Sequence, residues 1–421
     1  MYNPMTMRRG QNYQIWLVLL LSLNFGILFF DRQAANFMMP FIAKPGEEGG
    51  LGLTNLQIGL LSSGLSLTWA LSGMAVGPLS DKLGSRKPII VVATLAFCAC
   101  SMLSGLAGSF LLLLGARLLM GIAEGGVMPV SHAMIVSEVE PKHRGLAMGV
   151  GQNLGSNLLG STAAPLILVP IAIYFGWRTG FFLAAIPGII TAIIIWFTLR
   201  EPPKGMENEG HEDAPRVTIK EALKHRNVLL CVIIAIMLVS FLVVTWAFMP
   251  LYLTSVGGFD ETAMGWIMAA LGISAGLNSF IVPMISDRIG RKPTFIAVCL
   301  MGLILPLGAL YYDGGSWLVM AVLFYLGWSL NGIFPLFMAT VPAESVDPRL
   351  TASLTGVVMG LGEVIGGVGS PFLAGALADM YDLTAPMWLL IVLTLVAFVA
   401  SMFLRESAPA VLERRAQAAA A

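Results

Sequence analysis

Charge is what this sequence has least of. Only 11% of its 421 residues are Asp, Glu, Lys or Arg, against 57% hydrophobic, and mean hydropathy is +0.82. A chain with so little polar surface cannot be an ordinary soluble globule. The Lys+Arg and Asp+Glu totals are equal at 24 each, so the basic excess of a nucleic-acid binder is missing and no such partner is expected. Histidine and cysteine are scarce, four of each. Cys98 and Cys100 lie two apart on an apolar run and so face different directions on a helix, and no histidine stands at ligand spacing to them. Cys231 and Cys299 read as small core residues. Neither a metal, a disulfide nor a cofactor is expected. A nucleophile–base pair or a metal cluster at membrane depth is also missing, which argues against a polytopic membrane enzyme or receptor.

What is there is apolar length. Runs long enough to span a bilayer occur at about 14–37, 55–77, 88–109, 111–136, 145–172 and 178–199, then at 227–254, 262–286, 293–311, 315–341, 350–378 and 385–404. That is twelve helices in two sets of six: residues 1–199, a polar linker at 200–226, and residues 227–421 with a short tail. The first run is long and lacks a small-residue cleavage site, so it reads as a retained helix. Apart from Arg32 and Arg117, which fall inside runs, every lysine and arginine except Lys44 and Arg178 lies at a terminus, in the linker or in alternate loops. The positive-inside rule then puts both termini and the linker in the cytoplasm of a cell (inner) membrane.

Charges inside the runs stand out against this background. The stretch RLLMGIAEGGVMP puts Arg117 and Glu124 in the fourth run, and a charge at bilayer depth costs roughly 2.5–3.5 kcal/mol on insertion scales. Seven residues are about two helical turns, so both side chains share one face. Asp31 and Arg32 sit together in the first run. Adjacent residues point about 100° apart, so these two cannot both face one partner.

The two halves repeat. SDKLGSRKP (Ser80 to Pro88) returns as SDRIGRKP (Ser286 to Pro293), and Gly126, Val127, Met128 and Pro129 match Gly332, Ile333, Phe334 and Pro335. GLAMGVGQNLG (Gly145 to Gly155) matches GVVMGLGEVIG (Gly356 to Gly366). Two parallel six-helix halves with substrate bound between them near the midplane is the transporter architecture that such a repeat implies.

The spacing of Gly77, Asp81, Gly84, Arg86 and Lys87 resembles the loop signature of the major facilitator superfamily, with a degenerate copy at Asp287, Arg288, Gly290, Arg291 and Lys292. The resemblance covers essentially the whole chain. It implies an all-α membrane protein of twelve helices in two pseudo-symmetric halves, and a charged cytoplasmic latch at these loops, beside the plainer reading of a charged turn. Asp31 and Arg32, followed by Arg117, Gly121, Glu124, Pro129 and Arg144, look like the anion:cation symporter branch. In that branch the acids of the first and fourth helices exchange protons and arginines hold the substrate carboxylate. By position those are Asp31 and Glu124, and Arg32 and Arg117. The sequence departs from the branch at Gly125 and Gly126, where alanine and proline are usual, and at Gly155, where a substrate-binding glutamine is often found; Gln152, one turn earlier, could replace it. Spinster-like lipid carriers, which also pair an arginine with a glutamate on the fourth helix, stay open as an alternative.

Glu363 takes the place of Gln152 in the internal alignment, which would bring it from the eleventh helix toward the central cavity as a third proton-exchanging acid, or leave it a neutral acid in a glycine-lined helix contact. The glycine pairs Gly356 with Gly360 and Gly362 with Gly366 favour close helix packing. Asn153 is a candidate substrate-binding residue, and Asn36, Tyr252, Trp246, Asn278, Trp328 and Asn331 are candidate cavity residues, although each of these alone is more often an interface anchor or helix glue. His132 is not expected to carry a proton. Three buried acids against two arginines leave one net negative charge, which should repel an anion until protons enter. The expected function is proton-coupled uptake of a small organic anion, by a carrier that needs only its substrate, protons and membrane lipid and acts as a monomer. Export of amphipathic lipids or drugs is the second reading.

Overall fold

The computed structural model describes residues 10–201, 219–346 and 350–420, and among these there is no strand. Twelve helices are long and apolar enough to cross a membrane: α1 (Gln11–Ile42), α2 (Asn55–Leu83), α3 (Lys87–Gly105), α4 (Phe110–Glu138), α5 (Pro141–Phe175), α6 (Trp177–Thr198), α7 (Arg226–Ser255), α8 (Glu261–Ile289), α9 (Arg291–Tyr311), α10 (Trp317–Ser345), α11 (Leu354–Met380) and α12 (Ala385–Met402). A tail helix, α13 (Pro409–Ala420), follows. The protein is therefore a multi-pass integral membrane protein. Most of the 200–226 linker lies outside the described residues; its end forms a single helical turn, Ile219–Ala222.

Helix contacts divide the chain into two units, residues 1–51 with 67–209, and residues 52–66 with 210–421. In each, the repeated sequences appear as repeated irregularities of the helices. Pro129 has no N–H to give the carbonyl of Gly125, and α4 breaks at Gly126. Pro335 deprives Asn331 in the same way, and α10 tightens to a 3-10 helix over Trp328–Ile333. The next matched pair widens instead. α5 is π-helical over Val150–Leu154 and Ser156–Ala163, and α11 over Gly362–Gly369.

A hydroxyl from a neighbouring helix sits in each widened stretch. Ser22 on α1 donates to the carbonyl of Val150 at 2.8 Å and accepts from the N–H of Gly155 at 3.2 Å. In the second unit Ser240 on α7 reaches the carbonyl of Gly366 at 3.5 Å, and Ser370 donates to the same oxygen. Inserting a side chain into the backbone ladder is a recognised cause of such distortion. Glycine makes the approach possible: a Cβ on Gly155 would stand 1.9 Å from the carbonyl oxygen of Ser22, and one on Gly366 would stand 2.7 Å from that of Ile236. Gly362 packs on Ala235 in the same contact, but Gly356 and Gly360, expected to do likewise, have nothing within 4 Å of an added Cβ. Two of the four expected glycines therefore serve packing.

Each unit also closes on itself by a carboxylate. The backbone N–H groups of Arg86 and Lys87, which start α3, both donate to Glu201 just after α6. Those of Arg291 and Lys292, which start α9, donate to Glu406 just after α12 at 2.7 and 3.3 Å. A carboxylate at a helix start satisfies orphan donors and complements the helix dipole.

Candidate functional site

The four charges of the first unit lie on α1 and α4. Asp31, fully buried, turns toward α3, where the Ser101 hydroxyl donates to it. Arg32, one position on, keeps 19% of its side chain exposed and lays its guanidinium against the rings of Phe29 and Trp69, with Cζ 5.6 and 5.2 Å from the ring centroids. Its Nε lies 4.0 Å from an oxygen of Glu124, which is fully buried. Neighbouring residues of one helix thus point different ways, one inward and one to an aromatic-lined edge, as the 100° step requires.

Among the described residues, Arg117 is the largest fully buried side chain. Its Cζ sits 5.1 Å from the centre of the Phe181 ring, a contact that gains strength where water is excluded. Nη1 reaches the carbonyl of Arg32 at 3.5 Å and the sulfur of Met120 at 3.2 Å, while Nε and Nη2 have no hydrogen-bond partner. Asp31 and Glu124 both act on it electrostatically. One oxygen of Asp31 and both of Glu124 are likewise buried without a hydrogen bond. Buried polar groups left unsatisfied cost about 1–3 kcal/mol each, more when charged, so the cluster is held under polar frustration that a ligand or a proton would relieve.

The departures at Gly125 and Gly126 have a packing cause. A Cβ on Gly125 would stand 2.4 Å from the carbonyl of Trp69, and one on Gly126 would stand 2.4 Å from Val76. α2 therefore lies directly on α4 beside Glu124. At Gly155 the Ser22 contact leaves no room for a glutamine, and Gln152 lines a small cleft between α1, α4 and α5 instead. Asn153 lies half-buried in the same π-helical stretch. Asn36 donates to Gln33 one turn before it, at 2.5 Å.

In the second unit, Tyr252 is buried and donates its hydroxyl to the carbonyl of Ala309 at 2.9 Å. It ties α7 to α9. Asn331 is half-buried and lies in the 3-10 stretch of α10. Glu363 is half-buried in the π-helical stretch of α11. Trp328 packs on Phe241 and Trp246, with ring centroids 6.0 and 5.2 Å away, and its indole N–H is buried without a partner.

The repeated charged loops are also placed. The side chain of Asp81 lies outside the described residues. Gly77 lies close to Pro129 of α4, and Gly84 takes the turn with φ +54°. Arg86 donates to the carbonyl of Ala133 at 3.0 Å, and Lys87 lies over Trp196 at 5.0 Å. In the second copy Arg291 pairs with Asp287 at 2.6 Å and grips Glu344 through two nitrogens, at 2.6 and 3.1 Å. The carbonyl of Arg288 accepts from Arg414 of α13. Sequence reading missed Glu344, Glu201 and Glu406. The signal was present: Leu-Arg-Glu at 199–201 recurs at 404–406, and Glu344 stands opposite Glu138 at the offset of the charged loops.

The chain is 27% identical over 346 residues, covering 80% of it, to a probable 4-methylmuconolactone transporter of Cupriavidus pinatubonensis, of which 78% is matched. It is 28% identical over 293 residues to the hexuronate transporter of Bacillus subtilis, with 66% of each chain covered. Its fold is similar to a bacterial homologue of the human lysosomal transporter Spinster in an inward-facing state, with a TM-score of 0.75 at 20% identity over 93% of this chain and 98% of that one. At that identity the likeness shows the fold alone. The Major Facilitator Superfamily model matches residues 21–370 and 244–420. Twelve spans, a repeated charged loop and a buried charge cluster thus come together with a family match over most of the sequence, and the chain belongs to the Major Facilitator Superfamily of transporters.

Proposed function

We propose that this transporter takes up a small organic anion, a sugar acid or another carboxylate, together with protons, by alternating access across the cell (inner) membrane, as a monomer with both termini in the cytoplasm. The observation that carries the reading is the Arg32–Glu124 pair: a partly exposed guanidinium 4.0 Å from a fully buried carboxylate. When Glu124 takes a proton, Arg32 loses its counter-ion and becomes available to a substrate carboxylate. When the substrate leaves, Glu124 can ionise again. Arg117, buried behind the pair, keeps the cluster positive enough for an anion to enter, and Asp31 balances it. The relatives named for 4-methylmuconolactone and for hexuronate both carry organic acids or their lactones, which supports the substrate class.

The test is a melting-temperature screen of the purified protein against glucuronate, galacturonate, muconolactone and sulfoacetate, with a lysolipid as the contrasting arm. A ligand at about a hundred times its dissociation constant contributes about 2.7 kcal/mol. Stabilisation by at least one anion, stronger at acid than at alkaline pH, is the expected result. Stabilisation by the lysolipid alone would replace this reading with lipid transport.

A further inference from the structure

Ser101 has one hydrogen to give and two acceptors within reach. Its hydroxyl, fully buried on α3, donates to Oδ1 of Asp31 on α1 and also lies 3.0 Å from the carbonyl oxygen of Phe181 on α6. A serine hydroxyl carries one proton to donate and two lone pairs to receive, so only one of those acceptors is fully served at a time. Other hydroxyls in these helices turn back to the carbonyl four positions earlier, as Ser104 on α3 does to Cys100 at 2.9 Å and Thr191 on α6 does to Pro187 at 2.8 Å. Ser101 instead joins three helices.

The contact between α1 and α3 has a second polar rung for comparison. Thr94, about two turns before Ser101, lies 3.0 Å from Asn24, at the same sequence offset of 70. Asn24 does not titrate, so that rung has a single protonation state. Asp31 has two. An ionised carboxylate only accepts, and a bond to it is stronger than one to a neutral carbonyl, so the Ser101 hydrogen then belongs to Asp31. A protonated Asp31 is itself a donor. Its Oδ2 has no hydrogen-bond partner, so the added proton is held best on Oδ1, where the Ser101 oxygen can accept it, and the Ser101 hydrogen is free to turn to Phe181. One proton has been added, no O–H bond of Ser101 has broken, and one hydrogen bond has reversed.

We propose that Ser101 is the positioning residue for the proton of Asp31, donating to the carboxylate when it is ionised and to the Phe181 carbonyl when it is protonated. The change reaches Arg117, since the ring of Phe181 lies over it with its centre 5.1 Å from Cζ. Loading Asp31 ties α1, α3 and α6 together through Ser101, and unloading it releases the bond to α6. The other charged or titratable groups that interact with Asp31 are Arg117 and Glu124 on α4 and Cys98 and Cys100 on α3, while its neighbour Arg32 turns to Glu124. The ionisable residues of α5 and α6, Lys142, His143, Arg144, Tyr174 and Arg178, lie at the helix ends. The proposal rests on the proton-coupled reading above.

The experiment titrates the purified full-length protein by infrared difference spectroscopy, in which the carbonyl band of a protonated acid that is missing from Asp31→Asn belongs to Asp31. In Ser101→Ala the ionised form loses its donor, so the pH at which the band is half lost should rise by about one unit, the difference between a charged and a neutral hydrogen bond. The band should also move to higher frequency, because the protonated acid has lost the oxygen to which it donated. Ser101→Cys, which keeps roughly the size but donates weakly, should raise the midpoint in the same direction. A wild-type midpoint in Ser101→Ala overturns the assignment. So does one in Ser101→Cys, since the lost size alone would then explain the alanine result. A raised midpoint with the band unmoved overturns the reversal, and an Asp31 band that does not titrate in the wild type overturns the whole proposal. Substrate-driven proton entry into liposomes loaded with a pH-sensitive dye, on adding glucuronate, galacturonate, muconolactone or sulfoacetate outside, tests the underlying reading separately: no entry in the wild type with any of them overturns proton coupling even where the infrared result stands.

Discussion

Replacing Glu124 with Gln separates binding from coupling. The substitution keeps the shape and mimics the protonated acid. In the native protein the Glu124 carboxylate lies 4.0 Å from Nε of Arg32, and two unit charges at that separation attract by about 4 kcal/mol at an effective dielectric of about 20. A substrate carboxylate seeking Arg32 competes with that attraction. Part of it is screened, because 19% of the Arg32 side chain is exposed, so the gain on removing the competitor should be smaller, about 1.4 to 2.8 kcal/mol, or ten- to a hundredfold tighter anion binding. On the proposed proton-coupled cycle, the same change removes the group that would load and release the proton. Glu124→Gln should therefore bind its anion more tightly, exchange it across a liposome membrane, and fail to accumulate it under an imposed pH gradient. Binding is read by titration calorimetry, exchange and accumulation by labelled substrate on one preparation. Accumulation at the wild-type level would refute the coupling role and pass it to Asp31 or Glu363. Loss of binding and exchange together would instead make Glu124 the residue that holds Arg32 and Arg117 in place.

Three further perturbations follow from the geometry. Arg117→Lys keeps the charge but loses the planar fork over Phe181 and the reach to Arg32; anion affinity should fall about tenfold or more, the range of one or two charged hydrogen bonds, and calorimetry showing unchanged affinity would remove Arg117 from the site. Gly155→Ala puts a Cβ 1.9 Å from the carbonyl of Ser22; overpacking of this kind costs about 1–3 kcal/mol and exceeds the helix-propensity gain of about 1 kcal/mol, so the melting temperature should drop, and an unchanged melt would mean that α1 and α5 can move apart freely. Glu344→Gln breaks the two-point grip on Arg291, seen at 2.6 and 3.1 Å, and should lower the melting temperature more than Glu406→Gln, because Arg291 is buried and cannot turn to water for replacement; the reverse order in the same melt would place the stronger clamp at the backbone.

What the sequence disclosed, and what it withheld, divides along a physical line. Membrane spans are legible because bilayer thickness fixes the length of an apolar run, and each expected run lies largely within a helix, even where, as at Gln11–Ile42, the helix extends past it. The charges of the first unit were legible because ions are costly at depth, and Asp31, Arg32, Arg117 and Glu124 do gather. The direction in which each faces was harder: Arg117 is sealed beneath Phe181 while Arg32 keeps an edge to solvent, a difference set by neighbours on other helices. The π-helical stretches could not be read at all from their own residues, since the hydroxyls of Ser22 and Ser240 that occupy them come from more than a hundred positions away. Gly356 and Gly360 show the converse error, a spacing that favours close packing at two positions where nothing lies within 4 Å of an added Cβ.

The carboxylates that close each half on itself bear on how the protein is made. Arg86 and Glu201, and again Arg291 and Glu406, stand 115 positions apart. At a synthesis rate of about 5–20 residues per second, the start of α3 enters the membrane roughly 6–23 s before its own cap has been translated, and the start of α9 waits as long again. During that interval the first turn of each helix holds only its own arginine and lysine, whose charges oppose the positive end of the helix dipole, so the capping glutamate acts as a completion signal: each six-helix half locks when its last residues emerge. A ribosome stalled just short of Glu201 should leave α3 open to protease at Arg86 and Lys87, and one stalled beyond the linker should not.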